Sequence, residues 1–110
     1  MQKMILLSVI LLIAIIPLNA SVYKGQKYFK KKCISCHGKA MQFVTAKSYD
    51  TWLEYFDESG DKIYDIHGDS VKAKASMKYF DSGKYRTSVK HFRDFFLEYA
   101  SDTGNIPACE

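Results

Sequence analysis

Apolar positions in this chain fall into two regimes. From Met4 to Ile16 they form a run interrupted only by Ser8, whereas beyond Ser21 they recur three and four residues apart. That spacing puts side chains on one face of an α-helix, where alternation would have signalled a strand. Tyr23 to Lys32 reads as a helix with Gly25 and Phe29 on one face. Ser48 to Phe56 reads as a second, with Ser48 as N-cap and an apolar stripe of Tyr49, Trp52, Leu53 and Phe56. Ser70 to Phe80 forms a third segment, started by Asp69 or Ser70 and ending before Gly83. The clearest is Ser88 to Ala100, where Val89, Phe92, Phe96 and Tyr99 repeat at helical spacing, Phe95 and Leu97 widen the buried face, and Gly104 closes the end. No repeat, low-complexity tract or sustained alternation follows the first run, and Pro17 and Pro107 stand outside every element interior. The expected fold is small and all-α.

The first apolar run is 13 residues long, short of the roughly 20 that cross a bilayer as a helix. A weakly cationic Met1 to Lys3 precedes it, Pro17 ends it, and Asn19-Ala20 before Ser21 offers a small-residue cleavage site with Leu18 at the third position back. This is the pattern of a secretory signal peptide over residues 1–20, an uncleaved anchor being the other reading. No cysteine follows the run directly, which argues against a bacterial lipoprotein anchor. The mature chain would be residues 21–110, a single domain with no stable membrane anchor and only a modest core, so that a cofactor could supply much of its stability. It is too short for an enzyme with a cofactor domain of its own.

Charge is distributed unevenly. Ser21 to Lys47 carries seven lysines and no acid, Ser48 to Asp69 carries seven acids against Lys62 alone, and the remainder has seven bases and five acids. Nucleic acid is a poor explanation, since an exported protein rarely meets it and the acidic block would repel phosphate. A charged face that steers a protein partner fits better, beside the ordinary alternative of a solvated helix surface.

Cys33-Ile34-Ser35-Cys36-His37 is C-x-x-C-H, the attachment sequence for haem c. Two thiols one helical turn apart can add across the two vinyl groups of one haem edge, and the next residue then brings its imidazole beneath the iron as proximal ligand. A thioredoxin-like C-x-x-C would need a preceding strand and a βαβ frame, and neither is visible. Structural zinc would need a second ligand pair, yet the one remaining cysteine is Cys109. A Cys33–Cys36 disulfide leaves His37 unexplained. Haem c attachment also agrees with export, because it takes place outside the cytoplasm.

With Gly25-x-x-x-Phe29 before the motif, Cys33-x-x-Cys36-His37-Gly38, and an aromatic last helix ending in Phe96 and Tyr99, the chain resembles a small monohaem class I cytochrome c of the bacterial periplasm. The resemblance covers both ends of the mature chain and fades between them. It implies a cytochrome c-like fold of about four helices wrapped round one covalently attached haem, with the first and last helices crossing where Gly25 and Phe29 touch Phe96 or Tyr99. Many members carry a Gly-Pro some ten residues after the motif histidine. This chain has no proline there, which leaves the partner of His37 open.

Opposite His37, the class I pattern points to Met77, which lies before the last helix; its ordinary alternative is a core methionine. His67, in the stretch Ile66-His67-Gly68-Asp69 read as a flexible loop, is the runner-up. Met41 is too close to His37 to reach round the macrocycle, and His91 lies off the apolar face of the last helix, as a surface residue would. Tyr49, Trp52, Phe56, Tyr64, Tyr79, Phe80 and Tyr85 are candidates for the pocket wall, or for ordinary core. Lys24, Lys27, Lys30, Lys31, Lys32 and Lys39 are candidates to ring the haem edge and dock an acidic partner. Cys109 remains for a bond between chains, a bond to a partner, or a free thiol.

The function expected from these residues is periplasmic transfer of one electron on haem iron, not catalysis. The chain would serve as a soluble carrier or as the small cytochrome subunit of an oxidoreductase, and the resemblance implies an oxidase, a peroxidase or a molybdenum-containing dehydrogenase as partner. The alternative is a sensor or binding module with an open distal site for nitric oxide or carbon monoxide. The distal ligand separates the two.

Overall fold

The computed structural model describes residues 17–108. The run Met4 to Ile16, which carries most of the signal-peptide reading, lies outside the described residues, as does Cys109. Along the chain come α1 (Pro17–Lys32), α2 (Ile34–His37), α3 (Ala40–Phe43), a 3₁₀ turn (Val44–Ala46), α4 (Tyr49–Tyr55), α5 (Asp61–Gly68), a 3₁₀ stretch (Val71–Ser76), α6 (Met77–Phe80) and α7 (Gly83–Glu98). No strand occurs among the described residues, so the protein is all-α.

The two long helices, α1 and α7, make the principal packing contact. Gly25 is what lets them approach. An ideal β-carbon there would stand 2.0 Å from the His91 carbonyl oxygen and 2.5 Å from Cβ of Phe95. One turn on, Phe29 is fully buried with its ring 5.8 Å from Phe95 and 5.7 Å from Phe96. The expected meeting of Phe29 with Phe96 is therefore present, while Gly25 meets α7 one turn earlier than Phe96. The same crossing covers His91, which the sequence reading left on the surface. Its Nδ1 lies 2.8 Å from Oγ of Ser21, which also donates to Asp94 at 2.6 Å, and its ring rests 6.1 Å from that of Tyr28.

Phe96 carries the core onward, with Trp52 of α4 4.6 Å away and Phe56 4.8 Å away. Buried Trp52 donates its indole N–H to the Val44 carbonyl at 2.7 Å. Ser48 caps α4 as expected, accepting from the Thr51 amide at 3.2 Å. Of the expected stripe on this helix, Trp52 and Phe56 are buried but Tyr49 and Leu53 are exposed, since α4 touches α7 along a narrow seam. The chain after α7 returns to this region, where the Ser101 amide donates to Lys47 O and Asp102 accepts from the Tyr49 amide, both at 2.8 Å.

Other boundaries differ from expectation too, beginning with α1, which starts at Pro17 and not at Tyr23. The third segment is a 3₁₀ stretch leading into the single-turn α6, and α7 begins at Gly83 and stops at Glu98. The stretch around His67 is the last turn of a helix, α5, and not a loop. That helix starts at Gly60, whose φ of 75° and whose closeness to Val89 (2.6 Å from an ideal β-carbon) both demand glycine.

Candidate functional site

The C-x-x-C-H residues sit where α1 ends and turns into α2. The Cys33 amide still bonds back to Phe29 O at 2.9 Å, and the His37 amide bonds to Cys33 O at 2.9 Å. Cys33, Cys36 and His37 are thus held within about one helical turn, and Gly38, at a φ of 76°, ends it. Neither Cys33 nor Cys36 is in a disulfide.

All three residues line one cavity of about 540 Å³. That volume is in the range of roughly 300–1,000 Å³ usual for cofactor and small-molecule sites. Its wall is mainly aromatic: Phe29, Phe43, Trp52, Tyr55, Phe56, Phe92 and Phe96 from the core side. Ile63, Ile66 and His67 of α5 complete it with Tyr79, Phe80 and Tyr85. The α5 spacing explains this wall, because residues 63, 66 and 67 share one helix face. None of α5 is buried, and Ile66 remains 43% exposed although it lines the cavity.

His37 packs on Phe43 (ring centres 4.4 Å apart) and His67 on Phe80 (4.4 Å). The two imidazoles are 5.9 Å apart with their planes at 74°. Partial burial lowers the pKa of His37, and the neighbouring His67 lowers it further, so the neutral, ligating form of its imidazole is favoured. Loss of water pushes the Cys33 thiol up to about 12, with Cys36 adding to the effect.

Of the residues expected at the distal side, His67 lines the cavity and Met77 does not. Met77 is half-buried against the core, its methyl end lying 3.7 Å from where a β-carbon on Gly68 would stand. Among the aromatic candidates, Trp52, Phe56, Tyr79, Phe80 and Tyr85 reach the wall, while Tyr49 and Tyr64 do not; Tyr64 donates instead to Asp81 at 2.5 Å. Of the six lysines expected round an edge, only Lys32 lines the cavity, joined by Lys47 and Lys72. The other five are exposed on α1 or, for Lys39, just after α2, because the helix face bearing them points away from α7. Phe29, Phe43, Tyr55, Ile63, Ile66, Phe92 and Phe96 line the wall without having been expected there. The three-residue spacing of Ile63 and Ile66, next to His67, was the available signal for those two.

The donor set is two thiols one turn apart and an adjacent imidazole, at the edge of an apolar aromatic cavity. These residues fit a flat, hydrophobic, covalently held haem. Lys32, Lys47 and Lys72 add positive charge suited to its carboxylates. No group of three or more His, Cys, Asp or Glu among the described residues converges to hold a bare metal ion. No helix among them is long and apolar enough to cross a membrane. No protein-family model, curated protein or solved structure matches the chain.

Proposed function

We propose that this protein is a periplasmic electron-transfer protein carrying one haem c, with a cytochrome c-like arrangement of helices round it. The observation that supports this most is the convergence of Cys33, Cys36 and His37 on one aromatic cavity of cofactor size. In this reading Cys33 and Cys36 would hold the haem through thioether bonds and His37 would ligate its iron, and the bound group would supply a reversible one-electron couple for exchange with donor and acceptor proteins.

The chain's own residues tune and protect that couple. Phe29, Trp52, Phe56, Phe92 and Phe96 exclude water and lower the local dielectric. Lys32, Lys47 and Lys72 leave the cavity rim positive, which suits an acidic docking face on an oxidase, a peroxidase or a molybdenum-containing dehydrogenase. The signal-peptide pattern supplies the export that this chemistry requires.

The test is expression of the full chain in a host with haem c maturation machinery. Mass spectrometry and haem staining of a denaturing gel should find one covalent haem on the exported protein. Cys33→Ala with Cys36→Ala should abolish it. An exported protein with no covalent haem, in a host that matures other c-type cytochromes, would overturn the reading.

A further inference from the structure

We propose that His67, and not a methionine, is the second axial ligand opposite His37, so that the iron is held by two histidines. The inference rests on the haem reading above and adds to it the ligand that decides potential and partner. Metal–imidazole bonds are about 2 Å long, so two imidazoles on opposite sides of one ion have ring centres about 6 Å apart. The rings of His37 and His67 are 5.9 Å apart and both line the cavity.

The tautomer of His67 is set for the task. Its Nδ1 lies 2.7 Å from the carbonyl oxygen of Ile63, one turn back on α5. A carbonyl can only accept, so Nδ1 carries the proton and Nε2 keeps its lone pair for a metal. Phe80, tilted against the imidazole with ring centres 4.4 Å apart, limits its rotation, much as Phe43 does for His37. The sulfur alternatives lack this placement. Met77 does not line the cavity and packs by Gly68, and Met41 is exposed and does not line it.

The consequence is a lower reduction potential than a histidine–methionine centre would have, because a thioether ligand raises it. The matching partner would be a low-potential redox protein. A ligated His67 would also close the iron to small gases in the resting protein.

The test uses the wild-type haem-loaded protein first. Near-infrared magnetic circular dichroism and electron paramagnetic resonance of the oxidised form should show a low-spin iron with two nitrogen axial ligands and no methionine–iron charge-transfer band. The reduced form should leave carbon monoxide unbound. Met77→Leu should keep this spectrum, whereas His67→Ala should become high-spin and bind carbon monoxide, with added imidazole restoring the low-spin form. A methionine band in the wild type, or a wild type that is high-spin and binds carbon monoxide, overturns the assignment while leaving the haem reading intact. Absence of covalent haem overturns both and is seen before any spectrum is taken. Should His67→Ala fail to mature, His67→Met decides the residue: a methionine–iron charge-transfer band should appear in that variant, and an unchanged wild-type spectrum there would overturn the assignment.

Discussion

Replacing Gly25 by alanine adds one methyl group at the tightest point of the α1–α7 crossing. Its β-carbon would stand 2.0 Å from a backbone oxygen and 2.5 Å from the β-carbon of Phe95. Comfortable carbon–carbon separations are about 3.5–4.0 Å, so the helices must part by more than 1 Å or shift in register. The obstacle is backbone and the root of a side chain, so no rotamer change relieves it. Phe29, Phe95 and Phe96 would lose contact together. Overpacking a core ordinarily costs about 1–3 kcal/mol, and we expect this change to reach or exceed the upper end. For a domain of this size each kcal/mol is worth roughly 4–8 °C, so the melting midpoint should fall by at least about 12 °C. The control is Gly83→Ala at the first residue of α7, where an added β-carbon meets nothing within 4 Å. Alanine is the better helix former, so stability should hold or rise by up to about 1 kcal/mol and the midpoint should not fall. Thermal unfolding followed by circular dichroism compares the two. Equal midpoints for Gly25→Ala and the parent would refute the claim that this glycine is required by close packing.

Three further outcomes are expected. Trp52→Phe removes the indole donor from the buried Val44 carbonyl and should cost about 1–3 kcal/mol in denaturant titration, a loss under about 0.5 kcal/mol counting against that bond. Burial raises the pKa of Tyr79 and Tyr85 above the ordinary 10.0. Folding then favours their protonated forms, so stability is fully present below pH 10 and is lost as pH climbs beyond it, where the unfolded chain ionises first. Tyr85→Phe should lower the midpoint at neutral pH, by loss of the bond to Gly60 O, yet flatten the alkaline decline; an unchanged alkaline slope would argue against the effect of Tyr85. Finally, electron exchange with an acidic partner should slow as ionic strength rises from 0.01 to 0.15 M, where the Debye length shrinks from about 30 to about 8 Å. Lys72→Glu should slow it further at low salt, and rates indifferent to both changes would exclude docking through the cavity rim.

The elements legible in the sequence are those whose apolar faces meet the protein's own core. Val89, Phe92 and Phe96 mark α7 because all three are buried in the core, Phe92 by Tyr28 and Phe56, Phe96 by Phe29 and Trp52, and Val89 by Gly60. Helix α5 escaped detection because its apolar face, Ile63 and Ile66, looks into the cavity, and because Gly60 and Gly68 at its ends resemble loop signals. Yet Gly60 is there for a close approach to Val89 and Tyr85, not to break the chain. The attachment motif was legible for a chemical reason: its spacing confines two thiols and an imidazole to neighbouring residues. The far side of the site has no such local constraint. Whether Met77 or His67 reaches the cavity depends on how α5 and α6 pack, which a pattern of apolar positions does not encode.

The cavity bears on what a guest would add to this fold. Phe29, Trp52, Phe56 and Phe96, the side chains that join α1, α4 and α7, line it yet are each under 5% exposed, whereas Ile66 of α5, in the same lining, is 43% exposed. A flat apolar group anchored at Cys33 and Cys36 would cover Ile66 and seat α5 against the rest of the fold. The placement of His67 on that helix then acquires a structural meaning beyond ligation. Bonding from His67 to a group anchored at Cys33 and Cys36 would tie α5, whose Ile63 and Tyr64 are only partly buried against the core, to the α1–α2 junction across the cavity.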